Sequence, residues 1–75
     1  MEEKLLANTL KVQRAKKDLT QEQLAQLVGV TRKTINTVEN GKYVPSTYLA
    51  LKLAKVLGAP VEELFRLRED RDENN

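Results

Sequence analysis

Apolar positions along the chain recur at three- and four-residue intervals, and glycine interrupts the pattern three times. Leu24, Ala25 and Val28 form one stripe, Ile35 and Val38 a second, and Leu49, Leu53 and Leu57 a third, with Ala50 and Ala54 beside it. Such spacing gathers side chains on one face of an α-helix. Gly29, Gly41 and Gly58 each follow one of these segments, where a residue without Cβ can end a helix in the left-handed conformation. Start signals stand at the opposite ends. Thr20 is a good N-cap and Gln23, three residues on, completes a capping-box pattern; Thr31 and Ser46 suit the next two starts. Pro60 fits the first turn of a last helix, with Glu62 and Glu63 near its positive end. The pattern predicts five helices, over residues 9–17, 21–28, 32–40, 47–57 and 60–65, and hence a compact all-α domain.

The two ends follow a different rhythm. Leu5 and Leu6 precede the first helix, and Phe65 and Leu67 alternate with Arg66 and Arg68 after the last. Two short alternating segments can pair as an edge ribbon; the alternative is that Leu6 and Phe65 simply cap the core. Residues 68–75 are all charged or polar and are expected to form a loose tail. The expected organisation is therefore one domain over residues 1–67, followed by that tail.

Composition narrows the chemistry. Seventy-five residues make one small domain with a thin stability margin. The chain contains neither cysteine nor histidine, which removes disulfides, thiolate metal sites and the commonest general base. No cofactor or metal is expected, and the fold must be held by helix packing, by a partner subunit, or by both. No nucleophile–base pair or Gly-rich phosphate loop is present, and the adjacent Glu62 and Glu63 are explained as first-turn helix charges, so catalysis is not expected. No apolar run approaches the ~20 residues of a membrane span, and Met1 to Ala7 has no signal-peptide character. The expectation is a cytoplasmic protein without membrane contact.

Charge changes the picture through its distribution. The net charge is only +2, but between Leu10 and Tyr43 seven basic side chains face three acidic ones, whereas between Arg66 and Asn75 four acids outnumber three bases. A positive middle permits contact with nucleic acid without proving it.

That middle also has the layout of a DNA-reading device. Two helices joined by a tight turn at Val28-Gly29-Val30-Thr31 match a helix–turn–helix, and the small Ala25 allows close approach of the second helix. On a wheel of roughly 100° per residue, Ile35 and Val38 point inward, while Lys33, Asn36, Thr37 and Asn40 point outward, with Arg32 on the flank. Arg and Lys match guanine's acceptors, Asn can pair bidentately with adenine, and the Thr methyl can meet that of thymine. An ordinary solvated face would carry more Glu and Lys pairs. Arg32, Lys33, Asn36 and Thr37 are accordingly the candidate base readers. Phosphate anchors are expected at the starts of the second and third helices, at Gln21 and Thr31, and in the loop holding Asn40, Lys42, Tyr43 and Ser46. Glu39 lies nearer the core side than the outward face, where a carboxylate requires a partner; Arg14 is the candidate, the alternative being that both reach water.

The run Leu19-Thr20-Gln21-Glu22-Gln23-Leu24-Ala25, with Val28-Gly29-Val30-Thr31, Ile35, Val38-Glu39-Asn40-Gly41-Lys42 and Pro45-Ser46, resembles the Cro/CI-type (XRE) helix–turn–helix family. The likeness covers about Leu10 to Phe65. It implies a five-helix lambda-repressor-like domain, mostly found in transcriptional repressors that bind pseudo-palindromic operators as dimers. By position it implies a phosphate contact at Gln21, base reading at Arg32, Lys33, Asn36 and Thr37, phosphate contacts at Asn40 and Lys42, and a structural pair of Arg14 with Glu39. Gln13 and Thr47 depart from the family's usual apolar residues. Some short members dimerise through strands at their termini, which here directs attention to Leu5, Leu6, Phe65 and Leu67. The leading expectation is a homodimeric, nucleoid-associated repressor on double-stranded DNA. The alternative is an antitoxin-like module whose apolar ends bind a regulatory partner protein.

Overall fold

Leu10, Leu24, Ile35, Leu53 and Leu64 are fully buried in the computed structural model, and each comes from a different helix. The structure describes residues 5–68. In order these form β1 (Leu6–Asn8), α1 (Leu10–Lys16), α2 (Gln21–Val28), α3 (Arg32–Glu39), α4 (Thr47–Leu57), α5 (Val61–Leu64) and β2 (Phe65–Leu67). All but the first residue of the expected tail, residues 69–75, lies outside the described residues.

The core is the union of the stripes. Leu24, Ala25 and Val28 of α2, Ile35 and Val38 of α3, and Leu49, Leu53 and Leu57 of α4 are all buried, joined by Leu10 and Leu64. Phe65, Leu19, Val30 and Ala54 pack against this cluster half-exposed. Of the two positions where family members are usually apolar, Gln13 is half-buried and Thr47 exposed.

Local chemistry sets the ends of the helices. Thr20 Oγ1 accepts from Gln23 N at 3.0 Å while Gln23 Oε1 accepts from Thr20 N at 2.9 Å, a complete capping box. Ser46 Oγ accepts from Leu49 N at the start of α4. Gly29 and Gly58 take left-handed conformations at φ +81° and +68°. Three ends differ from the sequence pattern. α1 stops without a glycine, because Asp18 adopts φ +57° itself, a conformation that Asp tolerates better than most residues. Pro60 is the cap of α5 rather than its first residue. Phe65 leaves the helix because it enters a strand.

β1 and β2 form a two-stranded antiparallel ribbon, with Leu6 opposite Leu67, Ala7 opposite Arg66 and Asn8 opposite Phe65. Arg68 N extends it to Leu5 O at 3.1 Å, and Thr9 N bonds Leu64 O at 3.0 Å. Arg68, expected as the first residue of the tail, is thus hydrogen-bonded to Leu5 immediately beyond β2. Directly opposed residues share a face, so Leu6, Asn8, Phe65 and Leu67 lie on one side. The alternation sends Leu5 to the other.

Candidate nucleic-acid interface

The pairing of α2 with α3 is built at one turn. Gly29 N and Val30 N both bond Ala25 O, at 2.8 and 3.0 Å, and the left-handed glycine redirects the chain. Thr31 then opens α3, its Oγ1 accepting from Thr34 N at 3.2 Å. Ala25 is buried and the side chains of Ile35 and Val38 are sealed in the core, which fixes the rotation of α3 about its axis. Arg32, Lys33, Asn36 and Asn40 are consequently exposed.

Thr37 is placed differently from its neighbours. It is half-buried, and its Oγ1 lies 3.1 Å from Lys33 O and 2.9 Å from Thr34 O, donating back into its own helix. With that hydrogen used, Thr37 has no hydroxyl donor to offer outward.

A polar bridge ties three helices together beneath this face. Arg14 Nε donates to Glu39 Oε2 at 2.7 Å and Nη2 to Glu39 Oε1 at 3.3 Å. Arg14 Nη1 also reaches Leu19 O at 2.9 Å, fixing the link between α1 and α2. The Glu39 side chain is 5% exposed and that of Arg14 15%, so the fork-shaped contact answers the cost of burying a carboxylate. Gln21 Nε2 supplies a third donor to Glu39, at 3.0 Å on Oε1, and a further bond to Asn36 Oδ1 at 3.2 Å. Both amide hydrogens of Gln21 are thereby used within the protein. The donor it has left is its backbone N–H at the first position of α2, one of the groups a helix start leaves unpaired.

The loop after α3 brings further polar groups. Gly41, at φ +76°, allows Gly41 N to bond Val38 O and Lys42 N to bond Thr37 O, both at 3.0 Å, a Schellman-type end. Lys42, Tyr43 and Ser46 are exposed on the segment that follows. Since Ser46 Oγ acts as acceptor towards Leu49 N, its hydrogen is left to point elsewhere.

Asn8 is the residue that sequence reasoning missed. From the ribbon its Nδ2 donates to Val38 O at 3.1 Å and Glu39 O at 3.3 Å, while its Oδ1 accepts from Leu10 N at 3.0 Å. The local half had a signal, since an Asn two residues before a helix start is a common capping arrangement. The reach to α3, thirty residues away, had none. A shallow open groove, lined in part by Leu6, Asn8, Glu39, Asn40 and Arg68, runs between the ribbon and this helix end.

Two helices joined at a left-handed glycine turn, with a polar exposed face on the second, have the layout of a DNA-binding helix–turn–helix protein. The helix-turn-helix family model matches residues 10–64. An uncharacterized HTH-type transcriptional regulator of Methanocaldococcus jannaschii is 48% identical over 65 residues, 87% of this chain and 98% of that protein. The Bacillus subtilis regulator YgzD is 43% identical over the same shares. Among solved structures, the restriction-modification controller protein C.AhdI of Aeromonas hydrophila superposes with a TM-score of 0.69 at 41% identity, over 75% of this chain and 81% of that one. The chain belongs to the helix-turn-helix family of Cro/CI (XRE) type, and it is a DNA-binding transcriptional regulator rather than an enzyme. No helix among the described residues is long and apolar enough to cross a membrane.

Proposed function

We propose that this regulator is a repressor which binds a pseudo-palindromic operator as a homodimer, each copy placing α3 in a major groove. The observation that carries the reading is the division of α3 between Ile35 and Val38, sealed in the core, and Arg32, Lys33 and Asn36, exposed on the other side. Arg32 and Lys33 match guanine acceptors, Asn36 meets a base edge, and Thr37 brings its methyl to thymine. Phosphates are held by Lys42, by Asn40, Tyr43 and Ser46 in the following loop, and by the backbone N–H groups at Gln21 and at the α3 start beside Thr31. The likeness to a controller protein supports a small regulator that acts on DNA directly. Repression follows from occluding polymerase at the nucleoid.

Dimerisation is assigned to the terminal ribbon. Leu67 is 77% exposed and shares one face of the ribbon with Leu6 and Phe65, an apolar strip that a second copy could cover; Leu5, 62% exposed, lies on the opposite face. The same leucines support a second reading, in which a partner protein covers the ribbon in an antitoxin-like complex.

Selection from random duplexes, with sedimentation of the pure protein, tests the proposal. An inverted repeat with half-sites about one turn (~34 Å) apart and a dimer in solution is the expected result. Enrichment of a single unsymmetric site by a monomer would overturn the homodimer, and an absence of enrichment would overturn base reading.

A further inference from the structure

The last turn of α3 has four carbonyls that the helix itself leaves without partners. Three are met from within the segment: Asn36 O by Asn40 N, Val38 O by Gly41 N and Thr37 O by Lys42 N, each at 3.0 Å. The fourth, Glu39 O, is met at 3.3 Å by Asn8 Nδ2, which also lies 3.1 Å from Val38 O. Asn8 is opposite Phe65 in the ribbon, and its Oδ1 is held by Leu10 N at 3.0 Å. One half-buried amide therefore touches the ribbon, the start of α1 and the end of the recognition helix.

We infer that Asn8 is a positioning residue for DNA reading: it fixes the end of α3, and the Asn40–Gly41–Lys42 loop that departs from it, against the terminal ribbon. The inference rests on the base-reading role of α3 given above. Glu39 is then held at both ends, its carboxylate by Arg14 and Gln21 and its carbonyl by Asn8. The carboxylate side sets α3 against α1 and α2; the carbonyl side sets it against the ribbon. Releasing the second contact leaves the core stripe of α3 packed, but lets its final turn and the phosphate-binding loop shift relative to the reading face. Such freedom erodes specific binding more than random binding, because base contacts need a defined geometry whereas phosphate contacts tolerate many.

Two variants of the full chain separate this role from a plain helix start. Asn8→Asp keeps an acceptor for Leu10 N and turns a second acceptor towards the two α3 carbonyls. Asn8→Ser keeps a shorter local acceptor that cannot span to α3. The measurements are amide hydrogen exchange on the free protein, and dissociation constants for the selected operator and for a random duplex of equal length. In both variants, exchange at Asn40, Gly41 and Lys42 should quicken and the operator-to-random affinity ratio should fall, each about tenfold, the factor corresponding to the loss of one or two buried hydrogen bonds. Protection at Leu53 and Leu57 should stay within twofold of the unmodified chain, an estimate from their position in the core. Wild-type behaviour of Asn8→Asp in both measurements would overturn the inference, because a residue needed only for the start of α1 tolerates that change. Uniform acceleration across the chain in the milder Asn8→Ser would overturn it too, since that is general destabilisation. If the unmodified chain fails to prefer any operator, base reading falls and the specificity role of Asn8 with it, whereas localised exchange in the variants separately reports the contact to α3.

Discussion

Gln21 and Asn36 are joined side chain to side chain, Gln21 Nε2 donating to Asn36 Oδ1 at 3.2 Å across the two helices of the reading unit. That bond engages one lone pair of the exposed Asn36 oxygen and orients its amide, so Asn36 should meet the base edge through its Nδ2 donor. A donor selects base edges that carry acceptors, such as purine N7, guanine O6 or thymine O4. Asn36→Ala should erase preference at one base pair of the operator, about 1–3 kcal/mol of discrimination. Gln21→Ala should relax the preference at that same base pair, because the Asn36 amide is then free to turn over. Titration of operators substituted one base pair at a time checks both. Loss at different base pairs for the two variants would break the assignment.

The bridge from Arg14 to Glu39 makes a prediction about stability. Glu39's side chain is almost wholly buried, so removing Arg14 strands a carboxylate that otherwise has charge-assisted partners. Arg14→Met should cost about 3–5 kcal/mol in chemical denaturation. Adding Glu39→Leu should recover much of that loss, since a pair replaced by apolar groups of similar volume is close to neutral. Arg14→Lys should restore little, because a point charge cannot make the two-pronged contact and also reach Leu19 O. Additive losses in the double variant would show that the two side chains do not act as a pair.

The turn at Gly29 is a backbone requirement. A Cβ built there meets nothing closer than Lys52 Nζ at 3.9 Å, so space is not the constraint; the left-handed φ of +81° is. Gly29→Ala should therefore cost about 1–2 kcal/mol, and Gly29→Asn distinctly less, because Asn visits this region more readily. Thermal melting of the two variants side by side checks the order. Equal losses would point to packing instead of conformation.

Much of the fold is legible in sequence because its determinants are local. Thr20 with Gln23, Thr31 and Ser46 act within three residues, and Gly29, Gly41 and Gly58 act at their own positions, so α2, α3 and α4 are placed to within a residue by caps and stripes. Leu10 and Leu64 are as buried as any residue, yet they sit at the first position of a seven-residue helix and the last of a four-residue one, too short for a period to emerge. Asp18 ends α1 in a conformation that its type permits but does not announce. At the candidate site, the exposed row of Arg32, Lys33 and Asn36 follows from the wheel. The inward turn of the Thr37 hydroxyl is local, an i−3/i−4 back-bond that helical Thr often makes, whereas the use of Gln21's amide within the protein and the reach of Asn8 depend on tertiary distance and leave no trace in spacing.

Lys42 stands beyond the end of α3 and is exposed, its backbone N–H bonded to Thr37 O. Lys42→Ala should weaken operator and random duplex by the same factor. It should also flatten the plot of log affinity against log salt by about one unit, the signature of one lost phosphate contact. Lys33→Ala should instead weaken the operator far more than the random duplex. Titrations at several salt concentrations distinguish them, and a selective loss for Lys42→Ala would move that residue from the phosphates to the bases.

Leu67 lies opposite Leu6 at the exposed end of the ribbon. A side chain 77% in water contributes little to one chain's own stability, so Leu67→Lys should leave the helical circular dichroism and the melting of dilute protein almost unchanged. In a ribbon-mediated dimer the same change places two like charges in an apolar contact, by the symmetry of such an interface. It should therefore shift sedimentation from dimer to monomer and weaken binding to a two-half-site operator much more than to an isolated half-site. A dimer that survives Leu67→Lys with its affinity for the full operator unchanged would move the subunit interface away from the ribbon. Destabilisation of the dilute monomer would mean instead that Leu67 supports the fold of its own chain.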